Sequence, residues 1–185
     1  MNILLISGSR NPEGQTATAG NAFLAGVADE GGNGEHVFLP KLGVERCRQC
    51  EDHGWGICRT EGRCVIEDDF AALVEKIKAA DAVAFATPVY YSDLSESLRA
   101  FLDRLRRTCT HESGRTSVAG KYAVGICVAG GGGGGAQACT VSLERVLATC
   151  GFDVVDMVPA RRQNLDMKLG VLKTVGKWLV ALTRG

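Results

Sequence analysis

The chain has 185 residues, of which 45% are apolar and 23% charged; that fills the core of one ordinary domain and leaves no length for a second. Lysine plus arginine and aspartate plus glutamate number 21 each, so the formal net charge is zero, which argues against a protein that coats nucleic acid or an anionic membrane. Eight cysteines are too sparse for a small disulfide scaffold. The start, Met1-Asn2-Ile3-Leu4-Leu5-Ile6, has no basic segment and only a short apolar run, so reduced thiols in a cytoplasmic protein are expected. The uncharged stretch from Tyr122 to Leu143 is long enough to span a bilayer, but it holds seven glycines and Gln137, a composition that does not make a membrane helix.

Asn2 to Ser7 is a continuous apolar run ending in glycine and predicts a strand covered on both faces. Gly8 to Gly14 is a loop, and Thr16 to about Asp29 a helix stopped by Gly31-Gly32. Glu35 to Leu39 predicts a second strand, ended by Pro40. Lys41 to Glu67 has no periodicity and carries four cysteines and four glycines; loops of that length in compact domains are usually functional. Phe70, Leu73, Val74, Ile77 and Ala80 restore the helical period, with Asp68-Asp69 at the end where the helix dipole favours negative charge. Ala82 to Ala86 is a third strand, broken by Thr87-Pro88. Leu94, Leu98, Phe101, Leu102 and Leu105 mark a helix ending in Arg104, Arg106 and Arg107. Lys121 to Val128 is a fourth strand, followed by six consecutive glycines, Gly130 to Gly135. Cys139 to Cys150 is helical, Phe152 to Val158 is a fifth strand, and Leu165 to Leu182 a final helix interrupted by Gly170 and Gly176. Five alternations of strand and helix demand a parallel sheet with helices on both faces. Five strands predict a single doubly wound α/β domain of flavodoxin-like order 2-1-3-4-5, with its ligand site beyond the carboxyl ends of the first and third strands.

That architecture nominates three loops. Gly8-Ser-Arg-Asn-Pro-Glu-Gly-Gln-Thr16 runs from a strand into a helix N-terminus, where free N–H groups and the helix dipole hold a phosphate. Ser9, Gln15 and Thr16 add donors and Arg10 a charge; the loop is not the nucleoside-triphosphate loop, because Gln15 stands where that motif has lysine. By itself it also reads as an ordinary turn capped by Thr16. Thr87-Pro-Val-Tyr-Tyr-Ser-Asp93 offers a stiff turn and two aromatic faces to a planar ring; the same tyrosines would suit a subunit contact. The glycine run formally matches a dinucleotide fingerprint, but six glycines match any glycine template. Its physical content is a backbone without β-carbons, which a ligand can touch and whose N–H groups are unhindered. The bland alternative is a flexible linker.

Gly8-Ser9-Arg10 with Gly14-Gln15-Thr16, then Thr87-Pro88-Val89-Tyr90-Tyr91, then Leu98-x-x-Phe101-Leu102-Asp103-Arg104, together resemble the NADPH-dependent FMN reductase-like family. Cys47-x-x-Cys50 with Gly62-x-Cys64-x-Ile66-x-Asp68-Asp69 is similar to its iron–sulfur flavoprotein branch. The resemblance runs from residue 1 to about residue 140. It implies bound FMN, with its phosphate at Ser9, Arg10, Gln15, Thr16 and Ala17, its ring against Pro88, Val89, Tyr90, Tyr91 and Ser92, and the loop of Gly130, Gly131, Gly132 and Gly133 closing over it. It also implies a homodimer or homotetramer and NAD(P)H as co-substrate.

The cysteine spacing departs from that branch. Cys47, Cys50, Cys58 and Cys64 are separated by two, seven and five residues, where the branch has two C-x-x-C steps in close succession. Four thiolates in this span still suit a 4Fe-4S cluster or a zinc ion, and the alternative is four free thiols; His53 is a rival ligand. Cys109, Cys127, Cys139 and Cys150 are expected to be scattered small core residues. In a flavin reductase the hydride chemistry belongs to the cofactor, so no catalytic acid or base is assigned. The expected activity is hydride transfer from NAD(P)H to FMN, then electron delivery to a small-molecule or redox-protein acceptor. An electron carrier without nicotinamide activity and a colourless zinc-stabilised interaction module are the rival readings.

Overall fold

The computed structural model describes all 185 residues. The five apolar runs form five strands, β1 (Asn2–Ser7), β2 (Asn33–Phe38), β3 (Ala82–Pro88), β4 (Tyr122–Ala129) and β5 (Asp153–Arg161). They make one sheet of order β2-β1-β3-β4-β5, and every pairing is parallel. The order reverses between β1 and β3, which opens a crevice beyond their carboxyl ends.

Helices α1 (Gln15–Asp29) and α7 (Leu165–Arg184) cover one face. Helices α3 (Asp69–Ala79), α4 (Glu96–Thr108) and α6 (Ala136–Cys150) cover the other. The strand period of two divides the core accordingly. In β1, Ile3 and Leu5 pack with Phe23, Leu172 and Leu179, whereas Leu4 and Ile6 pack with Phe70, Phe101 and Leu143. Burial on both faces is why β1 reads as an unbroken apolar run.

The final helix is continuous despite its glycines. A β-carbon at Gly176 would lie 2.1 Å from the Phe23 carbonyl oxygen, and one at Gly26 would lie 1.9 Å from that of Lys173. These two glycines let the backbones of α1 and α7 touch, so tertiary packing outweighs their poor helix propensity.

Several boundaries differ from expectation. β3 continues through Pro88, because β1 stops pairing at Ala86 while β4 continues to Pro88; on the vacated side a missing N–H costs nothing. β2 begins at Asn33, where edge pairing with β1 carries polar residues that show no alternation. β5 extends to Arg161 by pairing with β4. Helix α4 begins at Glu96, after Leu94 has been used to leave the preceding turn. The long cysteine segment holds only one short helix, α2 (Ile57–Thr60), and a second single turn, α5 (Glu112–Arg115), follows α4.

The four remaining cysteines are buried in the core, as expected, and meet in two pairs. Cys127 contacts Cys139, and Cys109 contacts Cys150, all as free buried thiols. The hydrogen bond that each donates to its partner, and then burial, push the Cys127 and Cys150 thiols up, so both stay protonated. No helix is long and apolar enough to cross a membrane.

Candidate functional site

The crevice is built from the three loops. The Gly8 N–H donates to Ala86 O at 2.8 Å, so the first loop leaves the sheet at the switch point. It ends at Gly14, which precedes α1 without any side-chain cap. Thr18 N donates to Gly14 O at 2.9 Å, and the N–H groups of Gln15, Thr16 and Ala17 lie ahead of it in the first turn, where a helix offers no internal partner. Thr16 and Ser9 are buried beside them, at 4% and 8% exposure. An uncapped helix start with buried hydroxyls suits an anion.

The second loop is held under backbone strain. Tyr90 and Asp93 exchange both backbone hydrogen bonds, at 3.0 and 2.9 Å. Tyr91 and Ser92 form the tip with φ of +49° and +66°, a conformation unfavourable for side chains of their size. The surroundings over-determine it. Arg99 Nη2 lies 2.5 Å from Asp93 Oδ1, Ser95 N donates to Thr87 Oγ1 at 3.0 Å, and Ser97 Oγ donates to Gly8 O at 3.1 Å.

The glycine loop is clamped from outside. Gln163 Nε2 donates to Gly132 O at 3.1 Å, and Gly133 N to Gly130 O at 2.7 Å. A β-carbon at Gly131, Gly132 or Gly134 would meet nothing within 4 Å. That stretch of backbone therefore stands open to a ligand.

Ser9, Gln15, Thr16, Pro88, Val89, Tyr90, Gly130, Gly131 and Gly134 line one cavity of about 450 Å³, with Val128 and Ala129 at its floor. That volume lies within the roughly 300–1,000 Å³ typical of small-molecule sites. The other residues expected here sit differently. Ala17 offers only its N–H in the first turn, and Arg10, Tyr91 and Ser92 are exposed outside the wall. Gly132 and Gly133 face Gln163. Sequence reasoning missed Gln163 and Arg161, whose Nη2 reaches Gln137 Oε1 at 3.1 Å. Both follow the fifth strand, where no motif marked them.

Cys47, Cys50, Cys58 and Cys64 line a second cavity against the C-terminal half of α4, together with Arg48, Arg104 and Arg107. The chain reverses between Cys50 and Cys58 through Gly54, at φ +75°, and Gly56 leaves room for the Cys50 sulfur, which a β-carbon would meet at 3.3 Å. Gln49 and Glu51 flank Cys50 with φ of +51° and +57°. Arg107 Nη1 donates to Gly54 O at 2.7 Å and its guanidinium lies 4.5 Å from the Trp55 ring centre. His53 points elsewhere, with Nε2 3.2 Å from Glu51 Oε2.

Arg104 is 1% exposed and forms a two-pronged pair with Asp68, Nη1–Oδ2 at 2.6 Å and Nη2–Oδ1 at 2.9 Å. Burial pulls the Arg104 proton affinity down, but Asp68 and the adjacent Cys64 sulfur outweigh it and hold the guanidinium above its ordinary value. Burial likewise works to raise the Asp68 carboxyl, and its hydrogen bonds from Arg104, Glu45 N and Phe70 N overcome this and hold it below the usual range.

Four cysteines line one void with arginines that could balance negative charge, a donor set with the chemistry of a thiolate-bound centre but not the convergence. The void is narrow, about 20 Å³, room for little more than one water. No three cysteine, histidine or carboxylate side chains are arranged to hold a single metal ion. A polynuclear centre would therefore part the loop from α4.

A 2-1-3-4-5 parallel sheet with a backbone-rich crevice at its switch point defines a flavodoxin-like protein. The sequence pattern of the NADPH-dependent FMN reductase family matches residues 1–163, and the chain belongs to that family. An iron–sulfur flavoprotein of Methanocaldococcus jannaschii is 34% identical over 131 residues, 71% of this chain and 65% of that one. An iron–sulfur flavoprotein of Methanosarcina thermophila is 34% identical over 104 residues, 56% of this chain and 52% of its own. The chain thus spans half to two thirds of the length of these curated relatives. Among solved structures, an NAD(P)H:quinone oxidoreductase from Methanothermobacter marburgensis superposes with a TM-score of 0.75 at 22% identity, covering 97% of this chain and 96% of that one. A flavodoxin from the domain Archaea superposes over the full length of both chains with a TM-score of 0.65 at 13% identity. At these identities the two structures establish the fold.

Proposed function

We propose that this chain is an FMN-binding oxidoreductase that takes hydride from NAD(P)H and passes electrons to a small-molecule or redox-protein acceptor. The observation that carries this reading is the single cavity formed by an uncapped helix start, a strained tyrosine turn and an open glycine backbone, in a chain of the FMN reductase family. The bound flavin would supply the hydride and electron chemistry.

The chain's own residues bind, orient and shield. The N–H groups of Gln15, Thr16 and Ala17, with the Ser9 and Thr16 hydroxyls, would hold the phosphate at the positive end of α1. Pro88, Val89 and Tyr90, with Gly130, Gly131 and Gly134, line the cavity and would hold the ring between them. Backbone N–H groups of the glycine loop would donate to the ring, where fixed dipoles stabilise negative charge. No side chain is assigned to move a proton. Tyr91, fully exposed on a strained tip at the rim, would be covered in a homodimer or homotetramer.

Cys47, Cys50, Cys58 and Cys64 belong to the same reading as thiolate ligands of a 4Fe-4S cluster, which would supply one-electron capacity in addition to the flavin. The narrow void makes free thiols or zinc the results that a metal analysis must separate from it.

The test is an anaerobic titration of FMN-loaded protein. NADPH or NADH is expected to bleach the flavin band in a one-to-one ratio. Bleaching by dithionite but by neither nicotinamide would replace this reading with that of an electron carrier.

A further inference from the structure

The turn that follows β5 acts on the glycine loop through one side chain. Arg161 pairs with Ala129 in the sheet, which fixes this turn against the strand that leads into the loop. Arg161 N donates to Asn164 Oδ1 at 2.8 Å and closes the turn. Arg161 Nη2 reaches Gln137 Oε1 at 3.1 Å, in the first turn of α6 just past the loop. Between these anchors Gln163 Nε2 donates to Gly132 O at 3.1 Å. A β-carbon on Gly133 would lie 2.2 Å from Gln163 Oε1, so the amide fills the space that a side chain there would need.

This bond sorts the polar groups of the loop. Gly130 O accepts from Gly133 N, and Gly132 O accepts from Gln163. Gly130, Gly131 and Gly134 line the flavin cavity, whereas Gly132, Gly133 and Gln163 do not. The N–H groups of the three lining glycines meet no acceptor in the protein. Two carbonyls are thus taken up, and the donors at the cavity wall are left free. Glycine backbone turns easily, and Gly131 and Gly133 already stand at φ of +46° and +77°. Gln163 is the group that holds the Gly132 carbonyl out of the wall.

We infer that Gln163 is a positioning residue that fixes the polarity of the glycine loop: it keeps Gly132 O turned away, so that the loop meets the ring with N–H groups and favours a ring that carries negative charge. The inference rests on the FMN reading proposed above and deepens it. A hydride brings an electron pair and one proton to the neutral ring, so one negative charge stays on it. Fixed N–H dipoles stabilise that charge more than they stabilise the neutral ring, and an inward carbonyl works against it. Gln163 therefore raises the two-electron midpoint of the bound flavin without touching the ring.

The experiment compares the FMN-loaded parent with Gln163→Met and Gln163→Ala. Gln163 is exposed, so replacing it spares the core. Methionine keeps the length and the neutrality but has no N–H to donate. The midpoint is read anaerobically by equilibration with a dye of known potential, which requires no nicotinamide activity. In both variants it should fall by about a tenfold change in the two-electron equilibrium, equivalent to about 30 mV. Oxidised FMN should bind within about threefold of the parent, because hydrogen bonds to a neutral ring are the weaker ones. The same fall is expected with riboflavin, because the effect is exerted on the ring; a fall confined to FMN would place it at the phosphate and overturn the inference. An unchanged or raised midpoint also overturns it, leaves the FMN reading standing and reduces Gln163 to a prop for the loop. A parent that takes up no FMN overturns that reading, and this inference with it.

Discussion

Gly135 lies so close to Ser92 that a β-carbon on it would sit 2.5 Å from Ser92 Oγ and 2.7 Å from Ser92 Cα. This contact docks the glycine loop onto the tip of the tyrosine turn, joining the two walls of the crevice. Gly135 also has φ +80°, a region that costs other residues about 1–2 kcal/mol. Two requirements thus fall on one position of a six-glycine run.

Gly135→Ala should therefore separate the loops. FMN affinity is expected to fall about tenfold or more, with the melting transition still cooperative. Gly134→Ala is the control, because a β-carbon there meets nothing within 4 Å; its affinity should stay within about threefold of the parent unless the methyl meets the ligand itself. Equal affinities for the Gly135 variant and parent, by flavin fluorescence titration, would contradict the docking argument.

The anion site at α1 makes a separate prediction. The Gln15 and Thr16 side chains would each contribute a hydrogen bond to a charged phosphate, worth roughly 1.5–3 kcal/mol. The double substitution Gln15→Ala with Thr16→Ala should weaken FMN binding at least about a hundredfold. Riboflavin, which lacks the phosphate, should bind parent and variant alike. A parallel loss for both ligands would move the phosphate away from α1. FAD should bind more weakly than FMN, because the crevice offers one uncapped helix start.

How much of this was legible in the chain depends on the range of the interactions. Ile3 and Leu5 alternate with Leu4 and Ile6 between the two cores, and a continuous apolar run already implied that arrangement. The order of the sheet followed from five alternations of strand and helix. The place of the first loop at the crevice was legible because its signal is local: a strand end, glycines and a helix start. Gln163 was not, because its clamp on Gly132 joins residues 31 apart in sequence with no periodic signal. The tilt of Tyr91 out of the crevice was also invisible. It depends on a turn closed by Asp93 and held by Arg99, and tyrosine would not be chosen for a positive φ. The pairing of Cys127 with Cys139 and of Cys109 with Cys150 arises from packing between elements and leaves no mark in spacing.

The Asp68–Arg104 pair gives a pH prediction. Asp68 is 8% exposed and Arg104 1%, so removing one partner leaves a buried charge uncompensated, at a cost of about 3–5 kcal/mol. Asp68→Asn should lower the urea midpoint accordingly at pH 7. The native Asp68 carboxyl is held below its ordinary value of 3.8. Its contribution is therefore fully present above that value and is lost as pH falls through the lowered native one. The stability gap between parent and variant should stay constant from pH 7 to about pH 5 and close only below about pH 4. A gap that closes near neutrality would mean that another group controls the loop.

The last prediction concerns the loop from Cys47 to Cys64. Its ordering has few apolar contacts to draw on: Cys47, Cys50 and Cys58 are only partly buried, and Val65 beside it is 43% exposed. Polar ties do most of the holding, with Arg107 on Gly54 and Trp55, and Asp68 on Glu45. Metal binding contributes directly to folding where ligands converge only in the folded chain. A cluster should therefore stabilise this segment more than the sheet. It should also widen a void that now holds only about 20 Å³. Anaerobically reconstituted protein is expected to carry about four irons and four sulfides per chain. Hydrogen exchange should slow across residues 46–66 and change little in β1, β3 and β4. Cys50→Ser should lose most of the iron while keeping FMN, because Cys50 lies outside the flavin crevice. One zinc per chain would indicate a structural tetrathiolate site instead. No metal, with four thiols titrated by a thiol reagent in the folded state, would leave the loop a metal-free segment carrying four free thiols.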